Sequence, residues 1–224
     1  MSKAKAILLS YLGVLLFAAI PFLVAMKLNF KQGIIYLFIA LLGTTINQLM
    51  IKDGSNITVE RATEAHKGQE WDKRLLGASF FLGMATLVVC GLDAGRFEWS
   101  GEFPFWISTL GIILMMVGQT LFGISKRENN YFSSTVRIQT ERNHSVCQTG
   151  PYQYIRHPGY LGMLLSIFGL PLIFSSYIAF IPSMFQAFIL IIRTQYEDRF
   201  LLEHLSGYSE YVKQTRWRLI PKIF

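Results

Sequence analysis

Charge is what this chain has least of. Only 16% of its 224 residues are Asp, Glu, Lys or Arg, where a soluble domain carries about 25%. The deficit is gathered into long uncharged runs, which excludes an ordinary soluble fold and points to a bilayer. Cysteine is nearly absent: Cys90 and Cys147 are too few and too far apart for a disulfide framework or a zinc site. His66, His144, His157 and His204 have no metal-ligand spacing, so no metal is expected. Internal repeats, low-complexity tracts and flexible linkers are also missing.

What is present is apolar length. The runs 6–26, 33–51, 75–92 and 104–124 can each cross a bilayer. The first is longer than a signal-peptide core and another span follows at once, so it reads as a retained segment. A fifth run, 159–192, is 34 residues without a charge. As one helix it would reach about 50 Å against a hydrocarbon core of about 30 Å. Gly169, Pro171, Ser175, Ser176 and Pro182 lie in its middle and can break it. The length argument favours a hairpin of two short helices, roughly 159–174 and 177–193, over one kinked helix.

The sequence therefore predicts an all-α integral membrane protein. It has six transmembrane helices, the last two a short helical hairpin, and a small cytoplasmic cofactor-binding cap. Residues 1–124 form a four-helix transmembrane region, and 125–224 a cofactor-binding and catalytic region with the hairpin at 159–193. The net charge of +7 is distributed as the positive-inside rule requires if the 125–158 loop and both termini are cytoplasmic. That excess then reflects orientation and anionic headgroups, not nucleic acid. The 52–74 loop balances acids and bases and is expected to be a solvated or interfacial helix, with Trp71 as an anchor. The sequon Asn56-Ile57-Thr58 has no meaning in a cytoplasmic loop. Alternation over 134–139 and 144–147, with a turn-like 140–143 between, suggests a short two-stranded hairpin.

The chemistry is concentrated at 150–160. Pro158 suits the first turn of a helix, which sets His157 at a helix N terminus that favours anions. Arg156 adds a positive charge, and Tyr152, Tyr154 and Tyr160 add rings that attract cations and stack on flat groups. A ligand with a carboxylate, a cationic centre and a purine, such as S-adenosylmethionine, would use all three features. A basic, aromatic interface belt would show the same residues. Arg193 and Glu197 share a helix face. They form either a surface ion pair worth little or, if the hairpin returns them to His157, a two-point grip on a carboxylate. Arg216 and Trp217 read as snorkelling interface groups.

Taken together, Gly150-x-Tyr152-x-x-x-Arg156-His157-Pro158-x-Tyr160, Arg193-x-x-x-Glu197, Tyr208-x-x-Tyr211 and Arg218-x-x-Pro221 resemble the isoprenylcysteine carboxyl methyltransferase family, with wider kinship to membrane phospholipid methyltransferases. The resemblance covers roughly 130–224, while the first four spans match only in character. It implies an integral-membrane methyltransferase using S-adenosylmethionine, with the lipid entering from within the bilayer. Gly150, Tyr152, Arg156, His157, Pro158, Tyr160, Tyr208 and Tyr211 would hold the cofactor. Arg193 and Glu197 would be catalytic, and Arg193 and Arg218 would bind substrate. The family's often acidic run after that Arg is diluted here, with Glu197-Asp198 followed by Arg199.

An acid acceptor suits these residues better than an amine. A carboxylate is a nucleophile at neutral pH, whereas an ammonium needs a base, and Arg orients carboxylates but cannot act as a base. The expected reaction is carboxyl methyl esterification of an isoprenylcysteine-like substrate, with Arg193 orienting the acceptor and Glu197 fixing Arg193 or the cofactor amine. The expected partners are a lipophilic or prenylated acceptor and membrane lipids. N-methylation of an amino-lipid is the alternative. A small transporter is a further one, with little support from spans whose polar groups are Asn47, Gln48, Gln119 and Gln186.

Overall fold

A computed structural model describes residues 1–51 and 57–224. Asn56 of the sequon and residues 52–56 of the 52–74 loop lie outside the described residues. The described residues are helical with no strand. The bundle comprises α1 (Lys3–Ala25), α2 (Lys31–Leu49), α3 (Ile57–Thr63), α4 (Glu70–Cys90), α5 (Phe105–Glu128), α6 (Pro158–Phe174), α7 (Phe180–His204) and α8 (Tyr208–Gln214). Four helices are long and apolar enough to cross a membrane: α1, α2, α5, and α4 together with its π-helical continuation Gly91–Phe97. The chain is thus an integral membrane α protein. The four apolar runs fall inside these helices to within two residues at their ends. Residues 93–97, beyond the third apolar run, are still helical, in the π-helical turn Gly91–Phe97.

Glycine decides how closely α5 and α6 approach. A Cβ at Gly118 would stand 2.4 Å from the Gly162 carbonyl oxygen, and one at Gly162 would meet the Gly118 oxygen at the same distance. One level along, Gly111 and Gly169 repeat the arrangement. Small residues let membrane helices pack backbone to backbone where no hydrophobic force draws them together.

The 159–192 run is broken where its prolines and serines predict. α6 carries Pro171 in its last turn and ends at Ser175, which is left-handed with φ 55°. α7 starts five residues later with Pro182 in its first turn and runs past the apolar stretch to His204. The turn is held from outside. Asp93 is fully buried and accepts from the Ser100 amide (2.8 Å), the Ser100 hydroxyl (2.6 Å) and the Ser176 hydroxyl (2.5 Å). The chain doubles back, and the guanidinium carbon of Arg193 lies 4.9 Å from the centroid of the Tyr160 ring.

The expected hairpin of strands at 134–139 and 144–147 is absent, and the reason lies in where its backbone bonds go. The Val136 amide donates to Asp72 (2.8 Å), and the Val136 carbonyl accepts from the Gln69 amide (3.1 Å). The Ser134 carbonyl accepts from Arg193 (3.0 Å), and the Gln139 amide donates to His144 Nδ1 (3.3 Å). Bonds to side chains and to the start of α4 replace the ladder.

Candidate active site

Two cavities meet at one end of the bundle, where α4 and α6 begin and α5 ends. The first is a cleft of about 800 Å³ including its mouth, lined by the 131–137 and 144–147 segments, Tyr152, Tyr160, Glu197, Tyr208 and Tyr211 among others. The second, about 1430 Å³ with its opening, runs sideways between the helices past Leu76, Met163 and Ile167. It continues past Leu76, Ser166, Ile167 and Gln186 into a third space, reaching Phe17, Phe80 and Leu87. Tyr160, Arg193, Phe132, Ser133 and Thr135 line both the cleft and the lateral cavity.

Arg193 is 5% exposed, and its charge is met by Asp72, which is fully buried. Nε donates to Asp72 Oδ1 at 2.6 Å, and Nη2 to Asp72 Oδ2 at 3.2 Å and the Ser134 carbonyl at 3.0 Å. Nη1 has no partner among the described residues. This corrects two expectations. Arg193 is not half of a surface ion pair, and Glu197 does not fix it. Glu197 instead accepts a hydrogen bond from the Tyr160 hydroxyl. The partner of Arg193 comes from the first turn of α4, 121 positions away.

Asp198 organises the other wall. Arg156 grips it in two-point fashion, Nε to Oδ1 at 2.7 Å and Nη2 to Oδ2 at 2.8 Å. His157 Nε2 lies 3.2 Å from Oδ1, Tyr208 donates at 2.9 Å, and Arg218 Nε donates to Oδ2 at 2.8 Å. Burial opposes ionisation of Asp198, but the hydrogen bonds from His157 and Arg156 outweigh it and hold the carboxyl well below the usual range. This part of α7 lies beyond its apolar run. The remaining donors of Arg156 reach the carbonyls of Thr215 (2.9 Å) and Arg216 (2.8 Å). The 156–157 and 217–218 backbones pair through two amide bonds of 2.9 Å. Arg156 is therefore committed to the protein, and Arg218 is tied to Asp198 and the Phe224 ring rather than to either cavity.

The other expected cofactor residues are gathered at the cleft. Gly150 is left-handed with φ 58°, where a Cβ would also press on Glu128 at 2.7 Å, so it shapes the turn into 150–153. Pro158 opens α6, and the His157 and Tyr160 rings stack with centroids 5.6 Å apart. Tyr152, Tyr208 and Tyr211 are buried, and burial raises each hydroxyl far above its ordinary value. Tyr211 donates to the Tyr152 carbonyl at 2.7 Å. The cleft thus receives ring faces rather than free hydroxyls. His144 packs at a tilt against Tyr131, and burial, with Arg137 and Arg142 nearby, lowers it to about 4. Thr135 Oγ1 and Arg137 Nε are buried without a partner among the described residues, and both side chains line the cleft.

Sequence reasoning missed Asp72 and Asp198. A signal for Asp198 existed, since Arg156, His157 and Arg218 together need an anion. Asp72 offered only an acid one turn inside a span boundary, which is ordinary at a helix N terminus.

Comparisons with known proteins point to one family for the region that carries this site. Residues 110–203 match the model of the isoprenylcysteine carboxyl methyltransferase (ICMT) family. The chain is 32% identical over 136 residues to the cobalt-zinc-cadmium resistance protein CzcN of Cupriavidus metallidurans, covering 59% of this chain and 58% of that protein. It is 24% identical over 176 residues to a probable protein-S-isoprenylcysteine O-methyltransferase of Oryza sativa, covering 75% and 89%. It is also 30% identical over 112 residues to the protein-S-isoprenylcysteine O-methyltransferase of Saccharomyces cerevisiae, covering 46% and 45%. Against the Cupriavidus and yeast relatives the chain spans roughly half of the relative's length.

Proposed function

We propose that this chain, whose residues 110–203 match the model of the isoprenylcysteine carboxyl methyltransferase family, esterifies the carboxylate of a lipophilic, isoprenylcysteine-like acceptor with a methyl group from S-adenosylmethionine. The observation that carries this reading is the shared wall: Tyr160 and Arg193 line both the polar cleft and the lateral cavity. A water-soluble donor in one and a greasy acceptor in the other would meet there.

The cleft fits such a donor. Arg137 Nε and Thr135 Oγ1 are buried polar atoms awaiting partners, and suit a carboxylate and a polar head. Glu197 offers negative charge to an amine or a sulfonium, while Tyr152, His157, Tyr160, Tyr208 and Tyr211 offer ring faces. Gly150 and Pro158 set the turn that presents them, and Arg156 and Arg218 act through Asp198. When bound, S-adenosylmethionine supplies an electrophilic methyl group on sulfur.

The protein's part is positioning. Asp72 and the Ser134 carbonyl fix the plane of the Arg193 guanidinium and leave Nη1 to orient the acceptor carboxylate. No base is needed, because a carboxylate is already ionised. Rate comes from alignment. The cleft, the N terminus and the 125–158 loop face the cytoplasm in this reading, and the lipid reaches Arg193 from the bilayer.

The test is transfer of a labelled methyl group into membrane extracts, followed by mild alkali. Release of the label as volatile methanol is expected, since methyl esters hydrolyse under those conditions. Label that resists alkali would replace this reading with N-methylation of an amino-lipid.

A further inference from the structure

The lateral cavity holds three cations, Arg61, Lys126 and Arg193, and among the described residues one carboxylate, Asp72, answers them. Both oxygens of Asp72 are taken by Arg193 and by the Val136 amide. Lys126 is 8% exposed and has no hydrogen bond or ion pair among the described residues. Arg61 gives Nη1 to the Ser133 carbonyl at 2.8 Å and lies 5.0 Å over the Phe132 ring and 5.5 Å over the Phe122 ring, with no carboxylate in contact among the described residues. The nearest acids of its own segment are engaged elsewhere, Glu60 with Arg142 and Glu64 with Lys67 and Arg137.

Among the described residues, two positive charges therefore stand without a carboxylate partner in a space that is otherwise largely apolar. The carbonyl end of α5 lies next to Lys126 and offsets roughly half of one charge. Burial and the neighbouring Arg193 lower Arg61 to about 10, so it remains charged at neutral pH. A buried charge without a partner is costly, and a truncated hydrophobic replacement is often neutral or stabilising. Such an arrangement persists where a ligand brings the missing charge.

We propose that Lys126 and Arg61 form an anion seat in the acceptor cavity, which holds the negatively charged head of an alkyl-chain acceptor beside Arg193 and rejects amines. This deepens the esterification reading by naming the residues that set acceptor specificity, and it rests on that reading only for the identity of the acceptor. The seat's chemistry is an anion on a greasy chain. A carboxylate is the expected source, and a phosphate head is the other.

The experiment is calorimetric binding to the full chain in lipid nanodiscs, which needs no turnover. The probes are an S-prenylated N-acetylcysteine, its neutral carboxamide and dodecyl phosphate. The parent is expected to bind the acid at least tenfold tighter than the carboxamide. Lys126→Met should shrink that ratio below threefold without lowering the unfolding temperature of the ligand-free protein, and Lys126→Arg should restore it. Dodecyl phosphate binding tighter than the acid, and losing that advantage in Lys126→Met, would support the seat and assign it to a phosphorylated head. A ratio unchanged by Lys126→Met would overturn the seat. So would an equal loss of acid and carboxamide binding with a lowered unfolding temperature, since that marks a packing role. Failure of methyl transfer in the parent would strike the esterification reading and leave the binding result standing.

Discussion

The double variant Arg193→Gln, Asp72→Asn is expected to fold, to bind the methyl donor within about threefold of the parent, and to transfer methyl groups at least 100-fold more slowly. The rate expectation follows from the cost of removing one preorganised charged donor, about 10²–10³ in rate. The pairing of the two changes is essential. Arg193→Ala alone would leave Asp72 ionised in a site where it is fully buried. Breaking a buried pair on one side costs about 3–5 kcal/mol, which would confuse misfolding with lost chemistry. Asn is isosteric with Asp, and Gln keeps a polar side chain that can hydrogen-bond to it, while both charges are discarded. Arg193→Lys is expected to fail nearly as badly, because an ammonium cannot hold Asp72 and a substrate carboxylate with the same planar fork. Single-turnover rates and donor affinity, measured on the same preparations, separate the two effects.

Asp198→Ala is expected to damage the cleft more than any other single change outside Arg193. It strands Arg156, His157 and Arg218 around an empty position and removes the acceptor of the Tyr208 hydroxyl. A loss of about 3–5 kcal/mol follows from leaving buried cations unpaired, seen as a lower unfolding temperature. Donor affinity should fall about 100-fold, because the 156–157 and 217–218 backbones lose what holds them together. Asp198→Asn should fall between the two. The carboxyl is held below its ordinary value, so its contribution is fully present above the unfolded-state pKa of about 3.9 and is lost only as pH falls through the lower folded value. Acidification to pH 5 should therefore leave this wall intact in the parent.

Much of this architecture was legible because membranes impose simple rules. Length and hydropathy marked the four long spans, and Pro171, Ser175 and Pro182 marked the reversal of the 159–192 run. The 150–160 cluster showed its chemistry in residue type alone. What stayed hidden was pairing across long separations. Arg193 and Glu197 were one turn apart and looked like partners, yet the helix that brings Asp72 to Arg193 is set by the packing of α4 on α7, which no local pattern reports. The 134–139 alternation was real but misleading. Its two faces serve the cleft and the start of α4 rather than a second strand, and side chains took the backbone bonds a ladder would have used. Lys126 and Arg61 passed unnoticed because a basic residue at a helix end or in an interfacial loop is ordinary until a cavity is seen behind it.

The claim on which the rest depends is that donor and acceptor approach one another across Tyr160 and Arg193. A structure of the chain with S-adenosylhomocysteine and an S-prenylated N-acetylcysteine bound together addresses it most directly. The account predicts the thioether sulfur in the cleft, the prenyl chain along Leu76, Met163 and Ile167, and the carboxylate within hydrogen-bond distance of Arg193 Nη1. A carboxylate lying out of reach of Arg193, or a prenyl chain occupying the cleft, would contradict it.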